Sequence, residues 1–223
     1  MLCGLSFSSW QLSREHLALN GALLMKTLFT FITTLIISFS LQAKTFTEGD
    51  YYTVLDQEKS ATPVVTEFFS FYCPHCYRFE YVMSELKNAI PDNAKLQKVH
   101  VSFMGNNMAI PMAKAYATMV VLGVEETMVP EMFRQIHELG FRPPTEAALR
   151  QIFLDNGVNA ADFDAAYNGF AVDSMQKRFD KQFNSSTLRG VPGILVNNKY
   201  LVKSDKVKTY QEYFELVNYL LKK

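Results

Sequence analysis

Cys73 and Cys76 stand two residues apart in the stretch "FFSFYCPHCYRFE" (68–80), with Pro74 and His75 between them. Two sulfurs at this spacing on one turn at a helix start can join as a disulfide. The first sulfur there meets unpaired N–H groups and the positive end of the helix dipole, and both favour thiolate over thiol. Thiolate is the attacking form. An unperturbed thiol of pKa about 8.5 is only about 3% ionised at pH 7. A helix terminus contributes about 0.3–1 kcal/mol, up to about 2. His75 is expected to add a donor or positive charge beside the sulfur. Stabilising the thiolate stabilises the reduced protein against its disulfide, so the pair is expected to act as an oxidant.

Two other uses of such a pair fit less well. Zinc wants about four ligands, and the spacings of His75, His100 and His137 relative to the cysteines match no structural zinc pattern. A purely structural disulfide across two residues closes a tiny loop and contributes little stability. No metal and no bound cofactor are expected.

Glu67 lies in the middle of "VVTEFFSF", where a carboxylate in a sheet core is costly unless paired. Lys98, in "LQKVHVSF", is its expected partner, and such a pair beneath the sulfurs is suited to exchanging a proton with Cys76. The alternative is a Glu67 that faces solvent at a sheet edge. Val191-Pro192, ahead of "GILVNNKY", is expected to be a cis bond beside the cysteines, leaving the Val191 backbone free to pair with an extended substrate.

The elements that must position these groups follow from pattern. "YYTVL" (51–55), "TPVVTEFFSFY" (62–72) and "KLQKVHVSF" (95–103) read as strands. Pro74 to about Ile90 reads as a helix that begins on a proline and stops at Pro91. From Met104 to Leu188 the signals are helical, with stops at Gly123, Gly140 and Gly157. Val172, Met175, Phe179 and Phe183 share one helical face. "GVPGILVNNKYLV" gives two strands around an Asn-Asn turn. The last helix is amphipathic through Tyr210, Phe214, Val217 and Leu221. The plan is α/β, a thioredoxin-like fold with an inserted helical domain: residues 44–103 and 189–223 build the sheet domain, and 104–188 the insertion and its connecting helix.

The N-terminus reads separately. "MKTLFTFITTLIISFSLQA" starts at Met25 with a lysine, runs apolar from Leu28 to Leu41 and reaches Ala43. That is the plan of a cleavable signal peptide over 25–43, and the apolar run is short of the roughly 20 residues that span a bilayer. Residues 1–24 do not fit it, and translation is expected to start at Met25. Cys3 then leaves with the leader. An exported chain with one close cysteine pair is not a disulfide-stapled scaffold. Lys+Arg and Asp+Glu balance at 22 each, so no basic footprint for nucleic acid is present.

Taken together, "EFFSFYCPHCYRFE", "KVHVSFMG" and "LRGVPGILVNNKY" resemble the DsbA family of bacterial periplasmic thiol:disulfide oxidases, from about residue 48 to the C-terminus. The resemblance implies Cys73 as exposed nucleophile, Cys76 as resolving cysteine, Pro192 as the cis proline, and Glu67 with Lys98 as the buried charged pair. It implies unfolded exported polypeptides as substrates, an inner-membrane DsbB-type quinone-linked reoxidase as partner, and a monomer. The binding groove is expected over Phe79 and Met83. Tryptophans common in the family are here Tyr116 and Tyr167. The rival readings are a disulfide isomerase or reductase on the same fold, and a thiol-holding chaperone.

Overall fold

Asn197 and Asn198 both adopt left-handed backbone angles (φ 51° and 57°), the conformation that the tightest hairpin turns demand at both central residues. They join β4 (Gly193–Val196) to β5 (Tyr200–Val202). The buried Asn197 amide also donates to the Leu220 and Leu221 carbonyls, both at 3.1 Å, tying the hairpin to the last helix.

The computed structural model describes residues 45–223; the leader reading, Cys3 and the question of residues 1–24 lie outside them. β1 (Tyr52–Val54), β2 (Val64–Phe69) and β3 (Lys95–His100) complete a five-stranded sheet in the order β1-β5-β4-β2-β3. β2 runs parallel to β3, with Glu67 beside Lys98 and Phe69 beside His100. It runs antiparallel to β4, with Glu67 opposite Ile194 and Phe68 opposite Gly193. β2 is therefore an interior strand, and Glu67 is wholly buried rather than at an edge. β2 and β3 each end three residues short of the expected limits, because the chain turns at Ser70 and after Val101.

The helix α1 (Pro74–Ala89) begins on Cys73 in extended conformation and ends at Ile90, before Pro91. Proline suits the first position because its missing N–H would have no intrahelical partner. Five helices fill the stretch between β3 and β4: α2 (Ala109–Leu122), α3 (Glu125–His137), α4 (Glu146–Asp155), α5 (Ala160–Tyr167) and α6 (Phe170–Ser185). α2 ends on Gly123 in the left-handed conformation, and Thr145 caps α4 by accepting the Ala148 N–H. The final helix is α7 (Tyr210–Lys222).

Alternation along β4 divides the core into two. Ile194 and Val196 point into a cluster with Leu86 of α1 and Leu216, Val217 and Leu220 of α7. Leu195 points into the other, with Met112 and Tyr116 of α2 and Phe179 of α6. A fully buried side chain of this size contributes about 1.5–3 kcal/mol, so the helical block is held by its own apolar faces. The buried face of α7 is Tyr213, Leu216, Val217, Leu220 and Leu221. Tyr210, expected on that face, is 60% exposed because it stands in the first turn at the mouth of a surface groove. No helix among the described residues is long and apolar enough to cross a membrane.

Candidate active site

The loop Ser70–Tyr72 carries the chain from β2 to the cysteines, and three polar side chains hold it. Ser70 Oγ accepts the Tyr72 N–H at 3.2 Å. His100 Nε2 accepts the Phe71 N–H at 3.1 Å. His137 Nε2 donates to the Phe71 carbonyl at 2.8 Å, with its ring stacked on Tyr77 of α1 at 5.0 Å. Burial depresses the His100 pKa to about 3, so its ring stays a neutral acceptor at ordinary pH. These two histidines stood out in the sequence only as poor zinc ligands. The structure uses them to hold the loop that sets Cys73.

Cys73 is the N-cap of α1, and its Sγ accepts the Cys76 N–H at 3.3 Å. No acidic residue occupies the first turn of the helix. The two cysteines are unlinked, and the Cys73 thiol donates to the Val191 carbonyl at 3.4 Å. The Val191–Pro192 bond is cis. Cys73 keeps only a narrow opening, 4% of its surface, and Cys76 none. It is less exposed than expected, because the Val191 carbonyl closes over the sulfur. Burial pushes the Cys76 thiol far above its ordinary pKa; the neighbouring Cys73 and the Glu67 charge add to this, and the Ser70 backbone opposes it.

His75 departs from expectation. Its ring is exposed, and Nδ1 accepts a 3.0 Å hydrogen bond from the Arg78 guanidinium three residues on. Side chains at this spacing share a helix face, so the ring turns outward along α1 toward Arg78. Pro74 is exposed beside it.

Beneath the cysteines, Lys98 Nζ stands 2.7 Å from Glu67 Oε2 and 2.5 Å from Glu80 Oε1. The contact with Glu80 is a hydrogen bond. Neither Glu67 oxygen has a well-aligned hydrogen-bond partner, so its short approach to Lys98 is chiefly an ion pair. Burial raises the Glu67 pKa to about 7, with Lys98 opposing and Glu80 reinforcing. Burial works against the Lys98 charge, but the two carboxylates carry its pKa above the ordinary lysine value. Glu80 was not anticipated. It lies on α1 seven residues after Cys73, two turns along one face, a position that in sequence looks like ordinary helix surface.

A groove of about 590 Å³ runs beside the cis proline, lined by Phe79, Pro192, Ile194, Val207, Tyr210 and Tyr213. Phe79 is where it was expected. Met83 is not: it is buried and lines a second cavity of about 410 Å³ with Glu80, Lys98 and Tyr116. One helical turn beyond Phe79 its side chain is drawn under α1 into the core instead of reaching the groove.

A cysteine pair at a helix N-terminus, facing a cis-proline loop on a thioredoxin-like sheet, defines a thiol:disulfide oxidoreductase. The DSBA-like thioredoxin domain family matches residues 64–215. The chain is 37% identical over 207 residues to the thiol:disulfide interchange protein DsbA of Dickeya dadantii, covering 88% of this chain and 99% of that one. It is 33% identical over 209 residues to the protein of the same name from Escherichia coli K12, covering 89% and 100%. The crystal structure of the disulfide oxidoreductase DsbA from Proteus mirabilis superposes with a TM-score of 0.72 at 36% identity, over 80% of this chain and 98% of that one. A complex of a variant of that protein with a non-covalently bound peptide, PWATCDS, gives a TM-score of 0.74 at 34% identity, over 80% and 100%. The chain belongs to the DsbA family and is a thiol:disulfide oxidase.

Proposed function

We propose that the protein works in the periplasm, after removal of residues 1–43, and passes its Cys73–Cys76 disulfide to newly exported, unfolded polypeptides. The observation that carries this reading is the Cys73 sulfur at the N-cap of α1, accepting the Cys76 N–H. That setting favours a dithiol product and so a readily donated disulfide.

A substrate thiolate attacks the Cys73 sulfur of the oxidised protein, the Cys73–Cys76 bond breaks, and Cys76 leaves with the electron pair. A second substrate thiolate then attacks the substrate sulfur of the mixed disulfide and releases Cys73. The substrate loses two electrons and two protons, and the protein becomes a dithiol. A DsbB-type quinone-linked protein of the inner membrane takes the electrons back. The departing Cys76 is deeply buried, and its thiolate needs a proton. Glu67, with a pKa of about 7, gives that proton at neutral pH and takes it back during reoxidation. Lys98 and Glu80 link it to the second cavity.

The substrate backbone pairs with Val191, while its apolar side chains enter the groove beside Phe79 and Pro192. The peptide complex of the Proteus mirabilis relative supports a polypeptide as ligand. Residues 104–188 act as an inserted cap on a sheet domain made of 44–103 and 189–223, and the protein works as a monomer. Cys76→Ser is the test. An oxidase is trapped by this change as mixed disulfides at Cys73 with exported proteins. A thiol-holding chaperone binds its clients as before, with no covalent adduct, and that result would remove the reading.

A further inference from the structure

A separate polar cavity of about 340 Å³ is lined by Tyr72, the residue before the nucleophile, and by Gly105, Asn106, Asn107 and Arg142 among others, and no carboxylate lines it. Two features of this cavity attract a negative charge. Tyr72, the residue before Cys73, is 6% exposed, and its buried hydroxyl has no hydrogen-bond partner. A native buried hydroxyl without a partner is unusual, because burial strips it of water without replacement. Burial raises its pKa while Arg142 opposes, so the hydroxyl remains a proton donor.

Arg142 is exposed, its guanidinium 5.9 Å from the centre of the Tyr72 ring, and it forms no ion pair among the described residues. The 3-10 turn Asn106–Met108 forms another part of the wall, with no acidic residue in its first turn. Gly105 brings the turn against Tyr72: with φ at 107°, a Cβ on it would lie 2.4 Å from the ring.

We infer that this cavity is a subsite for a carboxylate side chain carried by the substrate polypeptide close to its reacting cysteine, held by the Tyr72 hydroxyl and Arg142. The inference rests on the proposed reading of the substrate as a polypeptide thiol. A substrate-borne carboxylate fits better than a free anion because Tyr72 and Cys73 are chain neighbours, about 3.8 Å apart at Cα. An extended substrate advances about 3.3 Å per residue, so an Asp or Glu within about three residues of the cysteine joined to Cys73 comes within reach. The Arg142 side chain, solvent-exposed and unpaired, shifts at little cost to let a carboxylate meet the hydroxyl.

The test uses the oxidised protein and short single-cysteine peptides with Asp at each of the three positions on either side of the cysteine, each matched by an Asn version. The measured quantity is the rate of mixed-disulfide formation, normalised to each peptide's rate with a small-molecule disulfide. At the best position, Asp is expected to react roughly tenfold faster than Asn, the effect of one hydrogen bond to a charged group. Tyr72→Phe changes no charge and is expected to reduce that ratio several-fold. Arg142→Gln, on an exposed side chain that folding does not need, is expected to do the same. An Asp-to-Asn ratio that is equal in all three proteins overturns the subsite. So does succinate at constant ionic strength if it abolishes the Asp preference well below the peptide concentration, since the cavity would then be a free-anion site. Failure of every peptide to form a mixed disulfide is a different result: it overturns the oxidase reading, and the subsite falls with it.

Discussion

Lys98 Nζ stands 2.7 Å from Glu67 Oε2 across directly paired positions of two parallel strands, with Glu67 wholly buried and the Lys98 side chain 18% exposed. The ion pair places a titrating carboxylate in a sheet interior, and its energetics differ on the two sides of neutral pH.

Glu67→Gln is expected to stabilise the protein above pH 7 and to change little near pH 4. The folded pKa of Glu67, about 7, lies above its ordinary 4.5. The folded state therefore binds the proton more tightly. The contribution is favourable below pH 4.5 and is lost as pH rises through 7. The loss is on the order of 3 kcal/mol. Urea unfolding of both proteins at pH 4 and pH 8 checks this; an equal difference at the two pH values would contradict it. The same variant is expected to slow release of Cys76 at neutral pH, read as the single-turnover rate of substrate oxidation.

Lys98→Met removes the only cation within ion-pair distance of Glu67 among the described residues. Leaving a buried charge unpaired costs about 3–5 kcal/mol. Glu67 can escape that cost by taking up a proton, so the destabilisation is expected to be larger at pH 8 than at pH 5. The double variant Lys98→Met, Glu67→Gln is expected to recover most of it. Denaturant midpoints of the four proteins form the cycle that measures this coupling. Additive effects of the two changes would contradict the pairing.

Much of this site is legible from local pattern. A helix that starts on proline after an aromatic strand puts Cys73 at the N-cap, and a lone carboxylate in an apolar strand demands a cation in the next one. The contacts that stayed hidden join elements far apart in the chain. Glu80 joins the Glu67–Lys98 pair only because the fold brings α1 within reach of Lys98 on β3. The Phe71 N–H reaches His100 of β3, and the Phe71 carbonyl reaches His137 only because α3 docks beside the loop. His75 reads as a partner of the sulfur when only the two-residue spacing is considered, yet on the formed helix its Nδ1 accepts a hydrogen bond from Arg78. Met83 shares a sequence spacing with Phe79 but not its surroundings, because the depth of a side chain under a helix is a tertiary property.

His100 predicts how the fold responds to acid. Its pKa falls from an ordinary 6.5 to about 3 on burial. The unfolded chain therefore takes up the proton first as pH drops. The stability this group contributes is present above 6.5 and declines down to about pH 3, by on the order of 5 kcal/mol. His100→Gln is expected to flatten the stability curve across that window. It is also expected to cost about 1–3 kcal/mol at pH 7 through weakened bonding to the Phe71 N–H. Thermal unfolding from pH 3 to 8 checks both. A slope as steep in the variant as in the parent would assign acid lability to other groups.

The central claim is that the fold holds the Cys73–Cys76 pair more firmly as a dithiol than as a disulfide. Equilibrating the protein in glutathione buffers, then trapping free thiols and measuring the reduced fraction, tests it most directly. The account predicts that the pair is mostly reduced even where oxidised glutathione predominates, because Cys73 Sγ accepts the Cys76 N–H at the amino end of α1. A disulfide that persists in mostly reduced glutathione would contradict it and mark the protein as a reductant.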